Sequence, residues 1–283
     1  MKKILIVFAG ILCLCWADQT RMNTLMAGDY IDDPVNISIF PQHIPLYQNC
    51  LYGDIFTGLD DFGLIISPKT EIGGLAVWNN GDLNIGYGVT VKRFDIGLYM
   101  SPVKDHTAYG FGIGRAHFES RGDVSFFMSD AVDAKYFTIN ARCLKRKLDF
   151  VIIPRYTYGN YSEPMEYQNH RGGLMIQRLI LNEGFIYLAG DYSFYTIGNI
   201  SDTTGIYAGL ELPLSRLILL RLGCRELFTM DDGFVPAGIA VEPGICFRVR
   251  EFNLDFHINK DRLFDKELTF VNSFGLDLNF AKF

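Results

Sequence analysis

The chain has 283 residues, 49% apolar and 14% aromatic, and carries 26 basic against 32 acidic side chains for a net charge of -6. So mildly acidic a chain argues against a nucleic-acid surface. Asp, Asn, Lys, Arg or Gly interrupts every later apolar stretch within a few residues, which excludes a helical membrane span of about 20 residues, and no Cys or His spacing suits zinc.

At the N-terminus, Lys2 and Lys3 precede an apolar run, Ile4 to Leu14, and then Cys15-Trp16-Ala17. This order predicts a signal peptide over 1–17. Cys13 and Cys15 lie where lipoprotein processing would act, but each follows a Leu where a small residue is wanted. Losing Lys2 and Lys3 leaves 24 basic against 32 acidic residues, a mature charge of -8.

Residues 18–50 do not alternate. They hold three of the ten prolines and an acidic cluster at Asp29, Asp32 and Asp33, followed by Asn36 and Phe40-Pro41-Gln42-His43-Ile44. The positions Arg21, Leu25, Gly28, Asp29, Asp32, Asp33, Asn36, Ile37, Phe40 and Pro41 resemble the mature N-terminus of FadL- and PorV-type outer-membrane barrels. The chain departs from their commonest form, with Ile39-Phe40-Pro41 where Asn-Pro-Ala is usual. The resemblance implies a barrel of about fourteen strands with this segment in its lumen, and either transport of hydrophobic molecules or a role in protein secretion. Leaving Ile37, Ile39, Phe40, Ile44 and Leu46 in water would be costly, so Asp29, Asp32, Asp33, Asn36 and Phe40 are candidate plug residues.

From residue 51 to 283 the chain alternates with a period of two. Leu83, Ile85, Tyr87 and Val89 alternate with Asn84, Gly86, Gly88 and Thr90; the same pattern returns in 94–101, 206–212, 252–259 and 274–280. Such a pattern puts one face against an apolar phase and the other against polar groups. In a soluble sandwich the apolar face is the core, whereas in a membrane barrel it meets lipid. With the export signal, the Gly-rich polar faces and a terminal Phe283, the expected fold is all-β: a single antiparallel transmembrane barrel of a bacterial outer membrane. About fourteen strands are expected, with sixteen the next even count; a soluble exported sandwich is the lesser alternative. The longest connections are read as 159–170 and 259–266. Strand parity puts Cys224 and Cys246 on opposite faces, so the thiols are expected free.

Phe283 is expected to mark the chain for the barrel assembly machinery, although Phe274, Leu276, Leu278 and Phe280 run one residue out of phase with it. On the inward phase stand Asp95, Glu211, Arg221, Arg225, Asp255, His257 and Asp277, candidates for the lumen and its selectivity. Charge in a narrow barrel must be paired or hydrated; the functional expectation is that Arg221 and Arg225 meet acids across a constriction. Gly110-Phe111-Gly112-Ile113-Gly114 reads as strand glycine, since no helix follows it. Asp60-Asp61 and Asp231-Asp232-Gly233 read as hairpin turns rather than calcium sites. Ser162 with His170 and His117 with Ser120 lack any catalytic motif. No enzyme activity, cofactor or metal is expected. The partners expected are outer-membrane lipid, a small hydrophobic solute and, on the alternative reading of a barrel that anchors or assists secreted proteins, an envelope protein.

Overall fold

A computed structural model describes residues 19–54, 61–70, 72–103, 106–131, 134–162, 166–180, 184–197, 200–230 and 233–280. The expected signal peptide, 1–17, and Phe283 lie outside these residues, as do Asp60, Asp231 and Asp232. Among the described residues sixteen strands form one antiparallel sheet: β1 (Cys50–Asp54), β2 (Asp61–Lys69), β3 (Gly73–Asn80), β4 (Leu83–Val91), β5 (Phe94–Val103), β6 (His106–His117), β7 (Ser120–Ala131), β8 (Ala134–Lys147), β9 (Phe150–Tyr161), β10 (Tyr167–Ile180), β11 (Gly184–Ile197), β12 (Thr203–Pro213), β13 (Ile218–Thr229), β14 (Val235–Val249), β15 (Phe252–Ile258) and β16 (Val271–Asn279). From β2 to β16 each strand is hydrogen-bonded to the next in sequence order, and β16 pairs β1. β1 also lies against β2, and this contact closes the sheet into a barrel.

The count is sixteen, not fourteen. Even the short candidate at 62–67 is a strand, because its ladder with β3 supports a segment too brief to stand alone. The expected long connection over 159–170 is mostly strand: β9 (Phe150–Tyr161) and β10 (Tyr167–Ile180) extend into it, held by Tyr161 stacked on Tyr167 at 4.3 Å. The longest connection, 259–270, begins with a 3-10 turn at Lys260–Leu263.

Burial is inverted relative to a soluble domain. Leu75, Leu98, Phe111, Met128, Leu188 and Ile206 stand exposed on the outer face, while Asp95, Asp123, Arg142, Arg155, Glu211, Arg221 and Asp255 are buried inside. An apolar exterior around a polar interior is what hydrocarbon demands of a closed sheet. It also rules out the sandwich, whose apolar faces would turn inward. Cys246 is buried on the inner face and Cys224 shares the outer phase of Ala208, so parity places them apart.

The two rims differ. Strand pairs β4–β5, β6–β7, β8–β9 and β14–β15 are joined through 92–93, 118–119, 148–149 and 250–251, and the other connections at that rim are 70–72, 181–183 and 214–217. The opposite rim carries short connections at 81–82, 104–105 and 132–133 but also all the longer ones, 55–60, 162–166, 198–202, 230–234 and 259–270. The tight rim is also where β1 begins and β16 ends.

The N-terminal segment crosses the lumen. Helix α1 (Gln19–Leu25) packs on β12 to β16, and a 3-10 turn, Pro41–Leu46, packs on β2 to β6. Inward glycines make room for it: a Cβ on Gly97 would strike the backbone of Pro41 and Gln42, and one on Gly88 would sit 2.6 Å from Pro45 Cδ. Replacing Gly97 by Val is therefore expected to loosen the segment by about 1–3 kcal/mol of overpacking, read as tryptic cleavage after Arg21 at least several-fold faster than in the parent barrel.

Candidate functional site

The lumen is built from charges that the strands hold inward and the segment answers. On the β4–β8 side, Arg121 Nη1 lies 2.7 Å from Asp95 and Nη2 2.9 Å from Asp123. His43 of the segment donates from Nε2 to Asp123 at 3.0 Å, and Gln42 adds a donor at 3.3 Å. Complete burial pushes the His43 imidazole below the usual histidine range.

Arg142, on β8 (Ala134–Lys147), reaches furthest into the segment. Its Nη2 is 2.5 Å from Asp32 and 3.4 Å from Asp123, its Nη1 donates to the Asp29 carbonyl at 3.0 Å, and its guanidinium lies 4.7 Å over the Phe40 ring. One side chain thus binds three separate points of the segment. Arg155, on β9, contacts Asp29, lies 2.8 Å from Asp191 and covers the Tyr30 ring at 4.1 Å; Arg171 shares Asp191 at 2.5 Å.

On the far side Arg21 of α1 joins wall and segment, with Glu211 at 3.1 Å and Asp33 at 2.7 Å. Asp33 also caps the next turn, accepting from Val35 N at 3.1 Å. Asn36 donates to the Ile31 carbonyl at 2.7 Å and so fixes the segment's own bend. Thr20 bonds Asp54 and, at 2.9 Å, Ser273.

The sequence-derived lumen candidates all face inward, but they are not arranged as expected. Arg221 meets acids on its own wall, Glu211 at 2.7 Å and Asp255, rather than across a constriction. Asp95 is held by Arg121 and by Thr90 at 2.7 Å. His257 pairs with Glu242 at 2.6 Å, and Asp277 accepts from Asn253 at 3.2 Å. Arg225 makes no ion pair among the described residues. It lines a cavity of about 420 Å³ beside α1, together with Arg155, Arg171, Tyr207, Glu242 and His257. His170 bonds Tyr156 at 2.7 Å and Ser162 bonds the Lys135 carbonyl, so these two are not brought together.

The residues missed from sequence are Arg121, Asp123, Arg142, Arg155, Arg171 and Asp191. Their signal was present: each is a charge on the polar phase of a strand, as Asp95 is.

No family model and no curated protein matches the chain. Its fold is similar to that of a bacterial polysaccharide outer membrane secretin, at 10% identity over 82% of this chain and 89% of that one, with a TM-score of 0.52. The chain is a transmembrane barrel of the outer-membrane type. More distant structures include an anion-selective porin from Comamonas acidovorans (8% identity, 81% and 88% covered, TM-score 0.48) and OmpT of Vibrio cholerae (9%, 81% and 84%, 0.49). The sixteen strands depart from the fourteen that the FadL and PorV resemblance implies.

Proposed function

We propose that this outer-membrane barrel admits small polar solutes, anions preferred, through a lumen narrowed by its own N-terminal segment. The observation that carries this reading is Arg225, a cation without an acidic partner among the described residues, on the wall of the one lumenal cavity described above. Hydrophobic solutes, which the family resemblance suggests, would have to desolvate a wall of ionised groups to enter. Planar-bilayer recordings in a salt gradient test the proposal. The parent barrel is expected to give an anion-selective reversal potential, and Arg225→Glu to move it toward cations. An unchanged potential in the variant would remove Arg225 from the passage.

A second reading, a barrel that anchors or assists other envelope proteins, draws on the filled lumen: ion pairs from the segment to β8, β9 and β12 leave little free cross-section. Crosslinking in intact outer membranes should then yield a stoichiometric protein partner, and its absence would count against this reading.

A further inference from the structure

The tight rim carries an arc of cations that the lumen does not use. Lys92, Arg93, Arg115, Lys145, Lys147 and Arg178 are all exposed there, along β4 to β10. Four of them point outward, toward lipid. Arg115 is in register with Phe94 and Lys145 with Ile152, while Lys147 and Arg178 are each in register with Phe150. These apolar partners are outer-face residues, 40–45% exposed.

The arginines are fixed where the apolar belt ends. Arg115 lies 5.3 Å over the Phe94 ring and Arg178 5.8 Å over Phe150. A guanidinium stacked on an aromatic at the edge of hydrocarbon puts its stem in the apolar zone and its charge at headgroup level. On the β8–β9 hairpin, ten residues separate the outward Phe137 from Lys147; at about 3.4 Å per residue and a tilt near 40° that is about 26 Å, the height of an outer-membrane apolar band. Lys147 therefore stands at one surface when Phe137 stands at the other. No carboxylate pairs with Arg115, Lys145, Lys147 or Arg178 among the described residues.

Between these cations the outer wall is grooved. A hollow of about 410 Å³ is lined by Arg115, His117, Ser120, Arg121, Gly122 and Cys143. Gly122 forms its floor, since a Cβ there would meet nothing within 4 Å. Lys145 is paired in register with Ser120 at its margin. The hollow thus offers a fixed guanidinium, an imidazole, a hydroxyl and a nearby ammonium, and it opens onto the outward faces of Phe94, Ile113 and Val124.

We infer that this groove binds the phosphate of an anionic glycerophospholipid, whose acyl chains run down the Phe94, Ile113 and Val124 face. The leaflet follows from the rims. Short connections mark the periplasmic end of such barrels, so the cations meet the inner leaflet. A soluble phosphate would gain nothing from the apolar wall beneath the groove, and the charge pattern complements a lipid surface. Each cation near such a surface contributes about a fivefold change in affinity.

The test is native mass spectrometry of the mature barrel released from mixed micelles of phosphatidylglycerol and phosphatidylcholine. The parent is expected to retain phosphatidylglycerol at least 25-fold over phosphatidylcholine, about fivefold for each of the two cations. The double variant Arg115→Gln, Lys145→Gln is expected to lose that preference by roughly 25-fold, two steps of about fivefold. Lys135→Gln, on the opposite rim and paired with Asp130 at 3.6 Å, should leave it intact. Equal retention of the two lipids by the parent, or an unchanged preference in the double variant, overturns the inference. So does displacement of the lipid by millimolar inorganic phosphate, which would assign the groove to a soluble anion.

Discussion

Deleting residues 19–46 is expected to raise single-channel conductance at least tenfold in planar bilayers, with heat-modifiable gel migration retained. The wall does not depend on the segment for its ladder, because β1 begins at Cys50 and keeps its pairing with β16. What the segment supplies is the filling. Leu25, Ile37 and Ile44 have no exposed surface and Phe40 retains 1%. Burying side chains of this size stabilises the docked state by about 1.5–3 kcal/mol each. So many anchors keep the segment docked in the parent, whose current should be small. A deletion variant that still migrates as a folded barrel but conducts like the parent would show that the segment does not obstruct the lumen.

Replacing Arg142 by Ala is expected to be the most damaging single substitution in the lumen. Its side chain is wholly buried between Asp123, also buried, and the segment's Asp32. Truncation leaves those carboxylates short of a cation and frees the Asp29 carbonyl and the Phe40 ring from their contacts. Breaking a buried pair costs about 3–5 kcal/mol, on the order of a thousandfold in the docking equilibrium. Proteolysis after Arg21, timed in detergent, reads that change, and conductance should rise in parallel. The exposed pair Lys135–Asp130 is the contrast: its removal should stay within about 1 kcal/mol. Equal effects from the two variants would mean that Arg142 is not the segment's main tether.

How far the molecule could be read from its sequence depended on which face of a strand carried the information. Alternation in 83–90 or 206–212 is a local property, and the barrel followed from it. The extent of β9 and β10 was not legible, because 159–170 looks like a loop until the Tyr161 and Tyr167 rings stack and prolong the ladder. The inward acids and Arg221 could be named from phase alone, but their partners could not. Arg221 was expected to look across the lumen, yet Glu211 is its direct cross-strand neighbour, a consequence of register rather than of phase. Arg142 and Arg155 went unnoticed for a related reason: their partners lie more than a hundred residues away, in a segment without a periodic pattern.

The distances along the chain between bonded partners also impose an order of assembly. Thr20 takes Ser273 as a partner across 253 residues, and Arg21 takes Glu211 across 190. Contacts this remote form late, after most of the loop-closure entropy has been overcome. Thr20 and Arg21 can thus reach their final place only when the last strand has arrived beside β1. A chain cut short before β16 would have neither a closed wall nor a seat for its own beginning, so a docked N-terminus reports that the whole barrel has been made.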